Sequence, residues 1–139
     1  MIVLDTNVLS EFMRPRPAPQ VARWLGDAEP RRLAITAVSV MEITYGVARL
    51  PAGQRREATR RSWQSIHESW TGVFLPLGLN ESVAAGEVLA ARAAIGRPLS
   101  TPDAQIAGIC LIWGSTLATR NTKDFEGMGI DLIDPWAGG

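Results

Sequence analysis

The first twelve residues, Met1-Ile2-Val3-Leu4-Asp5-Thr6-Asn7-Val8-Leu9-Ser10-Glu11-Phe12, decide how the rest of the chain is read. Ile2–Leu4 is a short apolar run of the kind found in a strand buried on both faces. Asp5-Thr6-Asn7 then offers helix-capping chemistry ahead of Val8, Leu9 and Phe12. A buried strand that delivers an acid into a helix start is the opening of a parallel α/β unit. Strand candidates recur at Leu33–Ala37, Val73–Leu77, Thr116–Thr119 and Ile130–Ile133. Between them lie helical segments: Ala18–Ala28, one from Ser39 to Leu50, Gln54–Ser69, Glu81–Ile95, and one opened by Thr101-Pro102-Asp103. Ser39 is the expected cap of the second of these. The last carries an expected inward stripe of Ile106, Ile109 or Cys110, and Trp113. Strands separated by helices require crossover connections, so the expected fold is α/β, three-layered, with about five mostly parallel strands between helices.

In such a sheet, ligands bind beyond the carboxyl ends of the strands. Four acidic or amide residues stand at or just after apolar runs: Asp5, Glu42, Asp103 and Asn121, with Asp124 close behind. Asp5 reads equally as a helix cap or a metal ligand. Glu42 lies early in its helix, where a carboxylate complements the dipole. Asp103 precedes Ile106, Ala107 and Cys110 by helical spacings and so faces the core side, where a carboxylate needs a partner. Asn121 and Asp124 fit a turn or a cap, and Thr119 and Asn121 fit hydrogen bonding to metal-bound water or a phosphate. Carboxylates gathered together repel one another, and a hard divalent cation is what makes such a cluster tolerable.

The bulk properties fit one domain over residues 1–139. Hydrophobic residues make up 46% of the 139, enough for a sizeable core. Fourteen basic and 14 acidic side chains cancel, so attraction to nucleic acid must be local. Seven arginines and two glutamates lie between Arg31 and Arg61. Arg49, Arg55, Arg56, Arg60 and Arg61 read as a solvated helix face or as phosphate contacts, whereas Arg120, beside the acidic cluster, is the better phosphate contact. The lone His67 reads as a surface residue. A single cysteine, Cys110, cannot form an internal disulfide. MIVLD lacks a signal peptide's basic and long apolar regions, and no apolar run spans a bilayer. The expectation is a soluble, cytoplasmic protein.

Four segments, IVLDTNVLSEF, ITAVSVMEITYGVARL, LSTPDAQIAGI and LATRNTKDFEGMGIDLIDPW, together resemble the PIN-domain nucleases. The likeness is to the VapC-type toxins of toxin–antitoxin pairs, in the branch that includes fast intracellular trafficking protein B. It implies Mg²⁺-dependent RNA cleavage, with Mn²⁺ as a substitute. It puts the family's acids on Asp5, Glu42 and Asp103. The fourth acid falls on Asn121, which removes one charge. Thr6 and Thr119 fall on small polar positions lining the site. Asp5 and Asp103 are then the direct ligands, Glu42 a ligand through water, and Asn121 a partner of metal-bound water. The implied partners are RNA, a small antitoxin that blocks the acidic pocket, a second copy of the chain, and a toxin–antitoxin assembly on DNA. Trp63 and Trp70 are the first candidates for protein contacts, with packing on the sheet an equal alternative.

Two rivals stand beside this reading. A haloacid-dehalogenase-like phosphohydrolase also opens with a strand ending in Asp, but it would want a second Asp at the position of Asn7. A non-catalytic nucleic-acid-binding module with a vestigial pocket is favoured by Asn121.

Overall fold

Apolar residues on both sides of each central strand dictate a sheet covered on both faces. The structure, a computed structural model described over residues 1–137, has that form. Strands β1 (Ile2–Leu4), β2 (Leu33–Thr36), β3 (Val73–Leu75), β4 (Thr116–Ala118) and β5 (Leu132–Ile133) form one sheet in the order β3-β2-β1-β4-β5. Every pairing is parallel, with Val3 beside Ala34 on one side and Leu117 on the other. The helices are α1 (Thr6–Phe12), α2 (Pro19–Asp27), α3 (Ala37–Ala48), α4 (Gln54–Ser69), α5 (Leu79–Ala94), α6 (Thr101–Trp113) and α7 (Thr122–Phe125). No helix among the described residues is long and apolar enough to cross a membrane.

Strand alternation divides the core in two. Val3, Ala34 and Leu117 face Val88, Ile106, Ile109 and Phe125 of α5, α6 and α7. Leu4, Leu33, Ile35 and Ala118 face Val8, Leu9, Ile43, Val47 and Trp63 of α1, α3 and α4. Strand order runs outward from β1 in both directions, so the chain reverses its winding between β1 and β4. A crevice opens at such a switch point, beyond the strands' carboxyl ends.

Several expectations shift at element ends. β2 stops at Thr36, and Ala37 already belongs to α3. Thr36, not Ser39, caps that helix: its hydroxyl accepts from the Ser39 amide at 3.1 Å. β3 ends at Leu75, because Pro76 has no N–H to continue the ladder, and as the sheet's edge strand it leaves Val73 and Phe74 exposed. α5 opens at Leu79, two residues before Glu81, and the short α7 follows Asn121. Trp113 does not point inward. It lies one residue before Gly114, whose left-handed backbone ends α6, and it remains 50% exposed. Trp63, 9% exposed, is core, and Trp70 packs against the same cluster, so ordinary packing accounts for both.

α6 must approach α5 closely for its first turn to reach the crevice. Gly108 makes this possible: a Cβ there would lie 2.6 Å from the Glu81 carbonyl oxygen and 2.8 Å from the Ala85 nitrogen. Backbone cannot yield as a flexible side chain does. Gly108→Ala is expected to cost about 1–3 kcal/mol. Urea unfolding followed by circular dichroism should show a lower midpoint with an unchanged slope.

Candidate active site

Asp5 follows the central strand and is 4% exposed. Its backbone amide still belongs to the sheet, donating to the Ala118 carbonyl at 2.9 Å. Its side chain caps α1, with Oδ1 accepting from the Thr6 amide at 2.8 Å. The other oxygen, Oδ2, accepts from the Thr119 hydroxyl at 2.7 Å and the Asn7 amide group at 3.3 Å. Cap and site residue are therefore one role. Thr119 itself is fully buried. Its single proton goes to Asp5, while its oxygen accepts from the Asn121 backbone N–H at 3.1 Å and from Asn7 at 3.5 Å. Asn7 closes the loop by accepting from the Arg120 backbone N–H at 3.4 Å.

Glu42 enters from α3 on a second network. The Thr6 hydroxyl donates to its Oε1 at 2.7 Å. With that proton spent, Ser39 Oγ must donate to Thr6 Oγ1 at 2.8 Å, and Thr36 donates to Ser39 at 3.5 Å. Thr36 and Ser39 are fully buried, so this chain of hydroxyls, polarised toward the carboxylate, holds Glu42 from beneath. Thr6 thus binds one acid through its amide and another through its hydroxyl.

Asp103 comes from the first turn of α6. Ser100 caps that helix, its hydroxyl accepting from the Asp103 amide at 3.2 Å, and Pro102 presets the turn. Asp5, Thr6, Glu42, Asp103, Arg120 and Asn121 all line one cavity of about 670 Å³. Asn121 caps α7 without a side-chain hydrogen bond to that helix. Asp124 does not line the cavity, although its charge reaches Asp103. Thr119 lies beneath the cavity, where it acts through Asp5. Among the phosphate-contact arginines, Arg55 reaches this cavity, whereas Arg60 and Arg61 pair with Glu57. His67 is exposed and stacks near Trp63 and Phe74, away from the cavity.

Sequence reasoning missed Asn7, Ser39 and Trp136. Asn7 figured as part of the capping run and as a missing acid, not as a partner of Asp5; its place in the same helical turn as Asp5 was the available signal. Trp136 lines the cavity and stacks under Arg120, whose guanidinium carbon lies 5.1 Å from the indole centroid. Nothing local in the sequence links residues 120 and 136.

The electrostatics are those of an unsatisfied acidic cluster. Burial, augmented by Asp103 and Glu42, pushes Asp5 up to about 6, despite the opposing bonds from Thr119 and Thr6. Burial also raises Asp103, with Glu42 and Asp124 adding to it. None of these acids is ion-paired among the described residues, where the pairs are Arg14–Glu11, Arg60–Glu57 and Arg61–Glu57. Three carboxylates on a polar cavity without a cationic partner are the donor set a hard dication takes. Among the described residues no three Asp, Glu, His or Cys side chains are grouped so that together they could hold one metal ion. An ion held by the cavity's carboxylates would have to keep much of its own water, as Mg²⁺ does. Cys110 is no nucleophile, since burial pushes its thiol up to about 12.

Residues 2–130 match the PIN domain, and the chain belongs to that family. The chain is 34% identical to the VapC ribonuclease Y4jK of Sinorhizobium fredii, over 98% of each protein. It is 33% identical to the toxin FitB of Neisseria gonorrhoeae, over 98% of this chain and 99% of that one. The solved structure of FitAB bound to an IR36 DNA fragment superposes with a TM-score of 0.87 at 31% identity, over 98% of this chain and 96% of the other. These likenesses put the chain among the VapC-type members, on the FitB side. They displace the phosphohydrolase alternative. Asn7, which that alternative needed as an acid, steadies Asp5 instead.

Asp5 has a pH signature. Its folded value of about 6 lies above the ordinary 3.8, so the metal-free folded state binds more protons than the unfolded state between these limits. Stability from the neutral form is present below about pH 4, is lost as pH rises to about 6, and stays lost above. The cost at pH 7 is on the order of 3 kcal/mol. In chelator, Asp5→Asn should therefore be at least as stable as the parent at pH 7.5, the advantage disappearing near pH 4. Thermal unfolding at the two pH values reads this directly, and a strongly destabilised variant at pH 7.5 contradicts it.

Proposed function

We propose that this chain is a metal-dependent endoribonuclease and the toxin of a toxin–antitoxin pair. The observation that carries the proposal is the convergence of Asp5, Glu42 and Asp103, from the end of β1, α3 and α6, on one cavity, where none of the three is ion-paired among the described residues. The likeness to a VapC ribonuclease and to FitB supplies the reaction class.

Asp5 and Asp103 would hold the ion directly, and Glu42 through water. Bound Mg²⁺ or Mn²⁺ supplies an acidified water and charge neutralisation at the scissile phosphate. The chain's own residues do the rest. Thr119 and the Thr6 amide fix the Asp5 carboxylate, and Thr6 with Ser39 fixes Glu42. Asn121, whose backbone is tied to Thr119, offers its amide to the water layer. Arg120 and Arg55 stand at the rim to meet substrate phosphates. Asn121 in place of a fourth acid lowers the charge, which favours fewer bound ions in the absence of RNA.

The partner reading rests on the same cavity. An antitoxin segment bearing a cation would satisfy the three acids and exclude RNA. The FitAB–DNA complex motivates assembly on an operator, and the chain is proposed to act as a homodimer. A vestigial binding module is the alternative outcome of the tests below.

Purified protein incubated with a panel of structured RNAs should cleave with Mg²⁺ or Mn²⁺ and stop on chelation. Asp103→Asn should lower the rate by more than the 10–100-fold typical of losing an outer-shell partner. Thr119→Val, which removes the bond to Asp5, should fall roughly within that 10–100-fold range. Absence of metal-dependent cleavage across the panel would identify a binding module instead. Arg120→Ala should reduce the slope of log affinity against log salt by about 0.7, as expected for one phosphate contact on a single strand.

A further inference from the structure

Arg120 presents a problem the acidic cavity does not solve by itself. Its side chain is exposed and shares the cavity with Asp5, Glu42 and Asp103, yet it pairs with none of them within 4.0 Å. A flexible guanidinium beside unpaired carboxylates should fall onto them and occupy the cation site itself. The structure shows a competing contact. The guanidinium lies over the Trp136 ring, 5.1 Å from its centroid. Trp136 is in turn fixed: it packs against the core cluster of Leu4, Leu9 and Ala118, and its amide donates to the Asp134 carboxylate at 2.9 Å. The Arg120 backbone N–H, held by Asn7, sets the root of the side chain. The other two cations on the cavity differ: Arg14 is paired with Glu11, and Arg55 belongs to a separate element, α4.

We propose that Trp136 is a positioning residue that parks Arg120 on its indole face, keeping the chain's own cation off the three carboxylates and free to meet substrate phosphate. This rests on the metal-dependent reading above, and it predicts an effect opposite to simple loss of a phosphate contact. A π face attracts a guanidinium without neutralising it, so Arg120 keeps its full charge for RNA. Replacing the indole by leucine removes the π attraction while retaining part of the apolar packing.

The test is Mn²⁺ uptake by the metal-free protein, measured by titration calorimetry without RNA, on wild type, Trp136→Leu, Arg120→Ala, the double variant and Trp136→Phe. Trp136→Leu should weaken Mn²⁺ binding about three- to fivefold, the scale of one exposed cation–π contact. Arg120→Ala should bind at least as well as wild type, and so should the double variant, because no guanidinium remains to compete. Trp136→Phe should stay close to wild type. A purely structural role for Trp136 would leave the double variant as weak as Trp136→Leu, and that result overturns the proposal. So does wild-type affinity in Trp136→Leu. No Mn²⁺ uptake by wild type overturns the metal reading and this proposal together, whereas wild-type uptake unaltered by any variant overturns this one alone. If Trp136→Leu does not fold, the ring-current shift of the Arg120 side-chain protons in wild-type protein decides: an upfield displacement supports the stack, and unshifted resonances sink it.

Discussion

One buried carboxylate governs the architecture of this chain. Asp5 sits where the central strand ends, in a region that water scarcely reaches, and its charge can be tolerated only because donors surround it. The Thr6 amide, the Thr119 hydroxyl and the Asn7 amide group all converge on its two oxygens. Those donors come from the first turn of α1 and from the end of the neighbouring strand β4. They still do not compensate fully, since burial and the nearby acids keep the carboxyl's proton affinity high. Part of the desolvation cost therefore remains unmet in the metal-free protein. That residual penalty is what a dication would relieve, and occupancy by one would then add to stability.

The surrounding structure serves this group at several levels. The parallel sheet with its winding reversal next to β1 creates the crevice. Gly108 allows α6 to close against α5, so that Asp103 stands at the crevice from the opposite layer. The buried Thr36–Ser39–Thr6 chain passes polarity from a strand end to Glu42. Each acid thus has its own support, and Thr6 joins two of them. Such double duty explains why short polar residues, rather than long flexible ones, line the floor.

Much of this could be read from the residues before any coordinates. Apolar runs of three or four residues marked every strand, and capping residues marked where Asp5 and Asp103 would enter helices. The parallel order followed from crossover logic. The misreadings lay where tertiary context overrides local pattern. Trp113 fits an inward stripe by spacing, but helix α6 has turned outward by its last residue. Ser39 resembles a cap, yet Thr36, three residues earlier at the end of β2, takes that role and leaves the Ser39 hydroxyl to support Glu42 through Thr6. Trp63 and Trp70 could not be divided between core and contact surface without knowing which face of α4 meets the sheet. Asn7 and Trp136 were overlooked because their partners lie more than a hundred residues away and 16 residues away respectively, in other elements.

The bond between Thr119 and Asp5 joins positions 114 apart in the chain. During synthesis Asp5 emerges 114 residues before Thr119, and β4 must insert beside β1 before the two can meet. The acidic pocket is consequently complete only once β4 and Thr119 have been made. A ribosome that has not yet delivered β4 displays Asp5 beside Glu42 without the hydroxyl that orients the Asp5 carboxylate.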